Sequence, residues 1–229
     1  MTGLFKLDPR LETIAGFIKK GSRVLDIGTD HAYLPVWLSR TGRCAYVLAT
    51  DINEKPLMSA QRSVERYAAQ NIELKCTDGL KDIDISSFDY IVIAGMGGEL
   101  IAEILSGLSG KFSPKQELLL CPTTKSEILR DFLYKKGFFV ENEPCIISKK
   151  HVYSVMRVLY SGESRPLTEF ERYTGKTSEI INGASLRYLE YRFSYVQKKI
   201  KGLKNPDDLK KLSDVNIQIQ KLTGKEFVL

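Results

Sequence analysis

The chain has 229 residues, of which 43% are hydrophobic and 27% charged, with a formal net charge of +6. That balance is one of a water-soluble globular protein long enough to bury a sizeable core, as one large domain or as a domain plus an appendage. No long apolar run and no signal-peptide pattern argues for membrane insertion or export, so a cytoplasmic location is expected. Cys44, Cys76, Cys121 and Cys145 are scattered without a Cys-x-x-Cys pair, which argues against a metal site or a disulfide framework.

In chain order, Asp8-Pro9 is a helix start, and Leu7, Leu11, Ile14 and Ile18 recur at helical spacing, predicting an amphipathic helix that ends near Gly21. Its plain role is to cover a sheet edge. Its sharper role places Arg10 near a substrate entrance.

Residues 23–27 then read as a buried strand, followed by a loop and a helix over 34–39. Loop and strand together, Asp26-Ile27-Gly28-Thr29-Asp30-His31-Ala32-Tyr33, form the edge where an open α/β sheet binds small ligands, beyond the strand ends and beside free backbone N–H groups. A dinucleotide site needs Gly-x-Gly-x-x-Gly so that a diphosphate meets bare backbone. Here Asp30 and Tyr33 fill the second and third glycine places, and a diphosphate would face a carboxylate. Acids on either side of Gly28 suit a cationic nucleoside, so S-adenosylmethionine is favoured over NAD or ATP. The alternative is an ordinary βα turn whose acids cap the helix.

A second strand over 46–51 ends in Asp51, the place where α/β nucleotide sites set a carboxylate on the ribose hydroxyls, with Ile52 next to it. Capping of the following helix, 57–67, is the competing account. A third strand over 72–76 runs into Asp78-Gly79. Asp78 there can accept from an adenine amino group while Gly79 lets backbone approach the ring, although an Asp-Gly turn has its own logic. An apolar fourth strand, 88–94, interrupted only by Asp89, ends in Ala94-Gly95-Met96-Gly97-Gly98 and enters a helix reaching about residue 108. Three glycines in four residues imply either close approach of a substrate or a tight connection. A fifth strand over 118–121, a helix over 128–135 and strands over 138–140, 145–147 and 153–160 complete a doubly wound, mostly parallel sheet. His151 is read as a solvated loop residue.

After residue 162 the pattern changes. Leu186, Leu189, Phe193, Val196, Ile200 and Leu203 form a heptad seam, and Leu212, Val215, Ile219 and Leu222 repeat it beyond the Asn205-Pro206 cap. An antiparallel helical hairpin projecting from the first domain is predicted. The expected domains are 1–162 and 163–229. The second holds 13 Lys and Arg against 9 Asp and Glu. Its basic residues, Arg187, Arg192, Lys198 and Lys199 among them, interleave with tyrosines and suit a phosphate backbone as well as the charged flanks of a coiled coil.

With these motifs in place, the chain resembles the bacterial tRNA (adenine-22-N1)-methyltransferase family, TrmK. The likeness rests on Asp26-Ile27-Gly28-Thr29-Asp30-His31-Ala32-Tyr33-Leu34-Pro35 and Ile93-Ala94-Gly95-Met96-Gly97-Gly98. It implies a class I S-adenosylmethionine-dependent methyltransferase fold, Rossmann-like, with a C-terminal coiled-coil domain that helps hold tRNA, and N1 methylation of an adenosine. From the residues themselves, the expected cofactor contacts are Asp26, Gly28, Thr29, Asp51, Ile52, Asp78, Gly79, Ala94, Gly95 and Met96, and the expected RNA contacts are Arg10, Arg187, Arg192, Lys198 and Lys199. Asp30, His31 and Tyr33 are the expected catalytic residues: Asp30 to stabilise the cationic product, His31 and Tyr33 to position or stack the base. The family's Gln-Pro-Asn after the fifth strand is replaced by Cys121-Pro122-Thr123, and no role is carried over to Thr123. No metal or membrane partner is expected, and the protein is expected to be a monomer or weak dimer. Methylation of another RNA site or of a small molecule, and non-catalytic RNA binding, remain as alternatives.

Overall fold

In a computed structural model, which describes residues 3–107, 112–179 and 181–224, strands β1 (Ser22–Ile27), β2 (Cys44–Asp51), β3 (Ile72–Cys76), β4 (Tyr90–Ala94) and β5 (Glu117–Cys121) lie parallel. The chain then adds β6 (Phe138–Asn142), a hairpin of β7 (Cys145–Ser148) and β8 (His151–Ser154), and β9 (Met156–Tyr160). The main sheet has the order β3-β2-β1-β4-β5-β9-β6, with β9 antiparallel to both neighbours. The order reverses between β1 and β4, which is where such sheets open a crevice for ligands.

Helices α1 (Pro9–Phe17), α2 (Tyr33–Arg40), α3 (Glu54–Arg66), α4 (Gly98–Ser106) and α5 (Ser126–Lys135) cover the sheet. Alternate residues of the central strands feed two cores. Leu25, Ile91, Ile93, Leu118 and Leu120 pack under Ile101, Leu105, Leu129 and Leu133. Val24, Val47, Val92 and Leu119 pack under Ile14, Ile18, Leu34 and Leu38. Burial on both faces explains why β4 and β5 read as continuous apolar runs rather than alternating ones.

The stretch 153–160 is not one strand. It breaks at Val155, and β7 pairs with β8 in a separate two-stranded sheet, so only β6 and β9 extend the main sheet. Asp8 ties this hairpin to the first helix, capping α1 through the Arg10 amide while accepting from the Ser148 hydroxyl. The end of the helix predicted to reach residue 108 falls outside the described residues.

The C-terminal part consists of α6 (Glu169–Thr174), α7 (Gly183–Ile200) and α8 (Pro206–Thr223). The predicted seam is real at its centre, where Leu189, Phe193 and Val196 bury against Leu212, Val215 and Ile219, with Tyr173 of α6 completing the cluster. The hairpin does not merely project. It is docked on α5 through two buried ionic networks. Arg130, 1% exposed, donates to Glu143 at 2.6 Å, to the Tyr188 hydroxyl at 2.9 Å and to the Arg172 carbonyl at 2.8 Å. Glu127, also 1% exposed, accepts from Arg192 at 2.8 Å, from Tyr195 at 2.8 Å and from Lys199 at 2.9 Å.

Candidate functional site

The carboxyl ends of β1, β2 and β3 are neighbours, with Ile27 level with Thr50 and Asp51 level with Cys76. The strand order therefore sets Asp26, Asp51 and Asp78 along one rim. The three acids are not equivalent. Asp26 is 6% exposed, and burial pushes its carboxyl up to about 6, an effect the nearby Thr29 hydroxyl partly offsets. No cation among the described residues comes within ion-pair distance of it, which leaves a place for a positive ligand group. Asp51 is half-buried and accepts from the Asn53 amide at 2.9 Å, an Asx turn that uses one oxygen and leaves the other for a diol. Asp78 is exposed at an Asp-Gly turn closed by the Lys81 amide on the Asp78 carbonyl.

The loop after β1 decides how the first helix begins. Asp30 and Ala32 both adopt left-handed backbone, with φ of 48° and 54°, a conformation that costs non-glycine residues free energy and clusters at functional sites. α2 starts at Tyr33 with no side-chain cap. Asp30 is thus not consumed as a helix cap. Its side chain is 69% exposed, with His31 Nε2 at 3.8 Å, and His31 stacks on Tyr33 at 5.3 Å, with Phe5 edge-on to the same tyrosine. Two half-exposed rings beside a free carboxylate form a surface for a planar base.

The glycines after β4 divide by role. A Cβ on Gly98 would lie 2.4 Å from the Lys125 carbonyl oxygen, so this glycine serves the close packing of α4 on the loop before α5, the tight-connection alternative. Gly95, at φ +87°, has open space where a Cβ would point, and it is the one of the three through which a ligand can approach backbone. Gly28, at φ +75°, faces the Met96 methyl, which would lie 2.0 Å from an added Cβ. Met96 thus lies over the first loop and joins both halves of the rim. Ala94 and Ile52 end β4 and follow β2 on the same edge, with Ile52 59% exposed. Sequence reading passed over Thr50, whose hydroxyl is fully buried without a hydrogen-bond partner between the two loops.

Among the residues expected to meet RNA, the structure separates two groups. Arg192 is 1% exposed, paired with Glu127 and packed 4.5 Å over the Tyr195 ring, so it holds α7 on α5 and is not a surface cation. Lys199 is 38% exposed but donates to the same Glu127, which raises its pKa against the opposing effect of burial. Burial alone would raise Glu127; the Arg192 charge and the Lys199 bond overcome it and hold the carboxyl at about 2. Arg10 pairs with Asp8 at 2.7 Å and lies 4.7 Å over the Tyr153 ring, pinning α1 to the β7–β8 hairpin. Arg187 and Lys198 are exposed. The buried partners Glu127 and Arg130 went unnoticed in the sequence, although with Tyr134 they share the inward stripe of α5.

A family profile described as a methyltransferase domain matches residues 7–156. The chain belongs to the methyltransferase-domain family. Its relatives include TrmK proteins. A tRNA (adenine(22)-N(1))-methyltransferase of Bacillus subtilis is 36% identical over 152 residues, 66% of this chain and 64% of the relative's length. The match spans just under two thirds of that protein. The crystal structure of the B. subtilis m1A22 tRNA methyltransferase TrmK superposes with a TM-score of 0.82 at 28% identity, covering 96% of this chain and 100% of that one. M. capricolum TrmK, in complex with S-adenosyl-homocysteine, superposes with a TM-score of 0.74 at 29% identity over 97% of each chain. The structural match, over 96% of this chain, takes in the C-terminal helices, which lie beyond the profile match ending at residue 156. The described residues of this chain contain no cluster of three or more potential metal ligands and no helix long and apolar enough to cross a membrane.

Proposed function

We infer that the chain is an S-adenosylmethionine-dependent methyltransferase that modifies N1 of an adenosine in tRNA, at position 22 as in the relatives. The observation that carries this reading is the rim itself: three acids on adjacent strand ends, with Asp30 left free beside two stacked rings. When bound, S-adenosylmethionine supplies an electrophilic methyl group on a positively charged sulfur. Asp51 would hold its ribose hydroxyls, Asp78 its adenine amino group, and Asp26, buried and without a counter-cation, would complement its positive charge. Thr29 and Thr50 offer buried hydroxyls at the same edge, Gly95 offers bare backbone, Gly28 and Gly79 shape their loops beneath the Met96 and Ile104 side chains, and Ile52, Ala94 and Met96 would supply apolar walls.

Adenine N1 has a lone pair at neutral pH, so attack needs no strong base. The protein's work is to receive the flipped base and align N1 for in-line displacement. His31 and Tyr33 would stack or position the ring. As N1 is alkylated the base becomes cationic and its amino group more acidic, and Asp30 would accept from that amino group and stabilise the developing charge. We assign residues 1–162 to catalysis and 163–229 to RNA binding through exposed cations such as Arg187 and Lys198. The same reading places the enzyme in the cytoplasm, as a monomer or weak dimer.

The test is direct. Unmodified tRNA transcript incubated with the protein and S-adenosylmethionine is digested and searched for 1-methyladenosine by mass spectrometry. The product is expected, at one site. Its absence from a protein that binds the cofactor calorimetrically would overturn the tRNA reading.

A further inference from the structure

A second opening lies on the far side of the glycine-rich loop. It has a volume of about 570 Å³ and is bounded by Thr123 and Thr124 after β5, by Lys150 and Tyr153 of the β7–β8 hairpin, and by Arg187 and Tyr191 of α7. The volume lies within the roughly 300–1,000 Å³ of sites that enclose one small ligand. It accommodates a nucleotide and is too small for a duplex.

Its position links it to the reaction. The Thr123 amide donates to the Met96 carbonyl at 2.8 Å, and its hydroxyl to the same oxygen at 3.1 Å, so one end of the cleft is bonded directly to the loop that borders the proposed methyl-transfer edge. The other end opens on α7.

Its walls have the chemistry of a single-stranded nucleic-acid site, in which aromatic faces take bases and cations follow the backbone. Tyr191 is 42% exposed and is propped by Tyr188 and Tyr195, each ring centroid 6.3 Å away. Tyr153 is fixed from behind by the Arg10 guanidinium. Arg187 donates to the Lys150 carbonyl at 3.1 Å, which ties the hairpin tip to α7 and brings both positive charges to one mouth. His151 sits beside them, and Glu190 is the acid in the lining.

We propose that this cleft holds the nucleotide flanking the methylated adenosine, with its base on Tyr191 and its phosphate between Lys150 and Arg187. The proposal rests on the tRNA reading above and adds to it a second, non-catalytic subsite that fixes the strand on one side of the flipped base.

Binding alone tests it, with no methyl transfer required. Fluorescence anisotropy of a labelled, unmodified tRNA transcript is measured with the full chain, without cofactor, over a range of salt. Lys150→Ala is expected to weaken binding about 5- to 10-fold and to lower the slope of log K against log salt by about 1, with Lys150→Arg restoring both. Tyr191→Ala is expected to weaken binding by a similar factor with the slope intact, and Tyr191→Phe to restore it. Thermal melting and S-adenosylmethionine affinity check that each variant is folded. Wild-type tRNA affinity and slope in both alanine variants overturn the proposal, which is also the result if the cleft serves an acidic protein segment. No tRNA binding by the wild-type chain overturns it too. A chain that binds tRNA through these residues yet forms no 1-methyladenosine refutes the methylation reading and leaves the cleft standing.

Discussion

Replacing Asp26 with Asn separates what the rim needs for folding from what it needs for its ligand. The Asp26 carboxyl has its pKa raised from 3.8 to about 6 by burial. Two units at about 1.4 kcal/mol each make a burden of about 3 kcal/mol on the folded, cofactor-free protein. The sign follows from the direction of the shift. Below pH 3.8 the acid is neutral in both states and the burden is absent; it grows as pH rises towards 6 and is complete above that. Asp26→Asn, neutral and nearly isosteric, should therefore stabilise the cofactor-free protein at pH 8 by up to about 3 kcal/mol and have little effect at pH 3.5. At about 2–4 °C per kcal/mol for a chain of this size, Tm at pH 8 should rise by about 6–12 °C. The same substitution should weaken S-adenosylmethionine binding about tenfold or more, because a positive ligand loses its buried partner. Calorimetric melting at the two pH values and cofactor titration measure both. A variant no more stable than wild type at pH 8, or one with unchanged cofactor affinity, refutes the reasoning.

Asp30→Ala should lower methyl transfer to tRNA by about 10²-fold while leaving cofactor affinity near wild type, since this exposed carboxylate is assigned to the developing charge; single-turnover rates beside cofactor calorimetry separate the two. Gly98→Ala should destabilise the fold by about 1–3 kcal/mol in urea melts, because its Cβ meets backbone at 2.4 Å. Gly95→Ala has room for its Cβ but sits at φ +87°, so it should cost about 1 kcal/mol through backbone strain and weaken cofactor binding as well, read by the same melts with cofactor titration. Arg192→Ala leaves Glu127 buried without its guanidinium and should cost about 3–5 kcal/mol. Because Glu127 is held near 2, its contribution to docking is complete above its ordinary 4.5 and is lost as pH falls from 4.5 towards 2. Near-ultraviolet circular dichroism of the interface tyrosines should follow that loss.

The rim was legible in the sequence because strand ends are local features: an apolar run, an acid and a glycine specify both the element and its edge, and parallel pairing puts successive edges side by side. The burial of Asp26, 6% exposed, was not legible, since it depends on packing from outside its own segment. Nor was the role of Arg192. On a coiled coil a cation facing solvent and a cation facing another helix occupy equivalent sequence positions, and only the location of Glu127 on α5 distinguishes them. The glycines after β4 looked alike until packing separated Gly98, pressed on backbone, from Gly95, which faces open space. The six-residue α6 was missed for want of periodicity, although Thr168 and Glu171, which form its capping box, were there to be read.

The two ion networks on α5 have a mechanical consequence. The helix that anchors the C-terminal hairpin through Glu127 and Arg130 begins directly after Thr123, Thr124 and Lys125 at the reaction edge. Handle and blade are thus mounted on one shaft, so under the proposed function an RNA gripped by the hairpin would be presented to the methyl donor at a set reach. Selectivity would then come from span as much as from letters: among chemically identical adenosines, the one at the right distance from the grip would be the one to react.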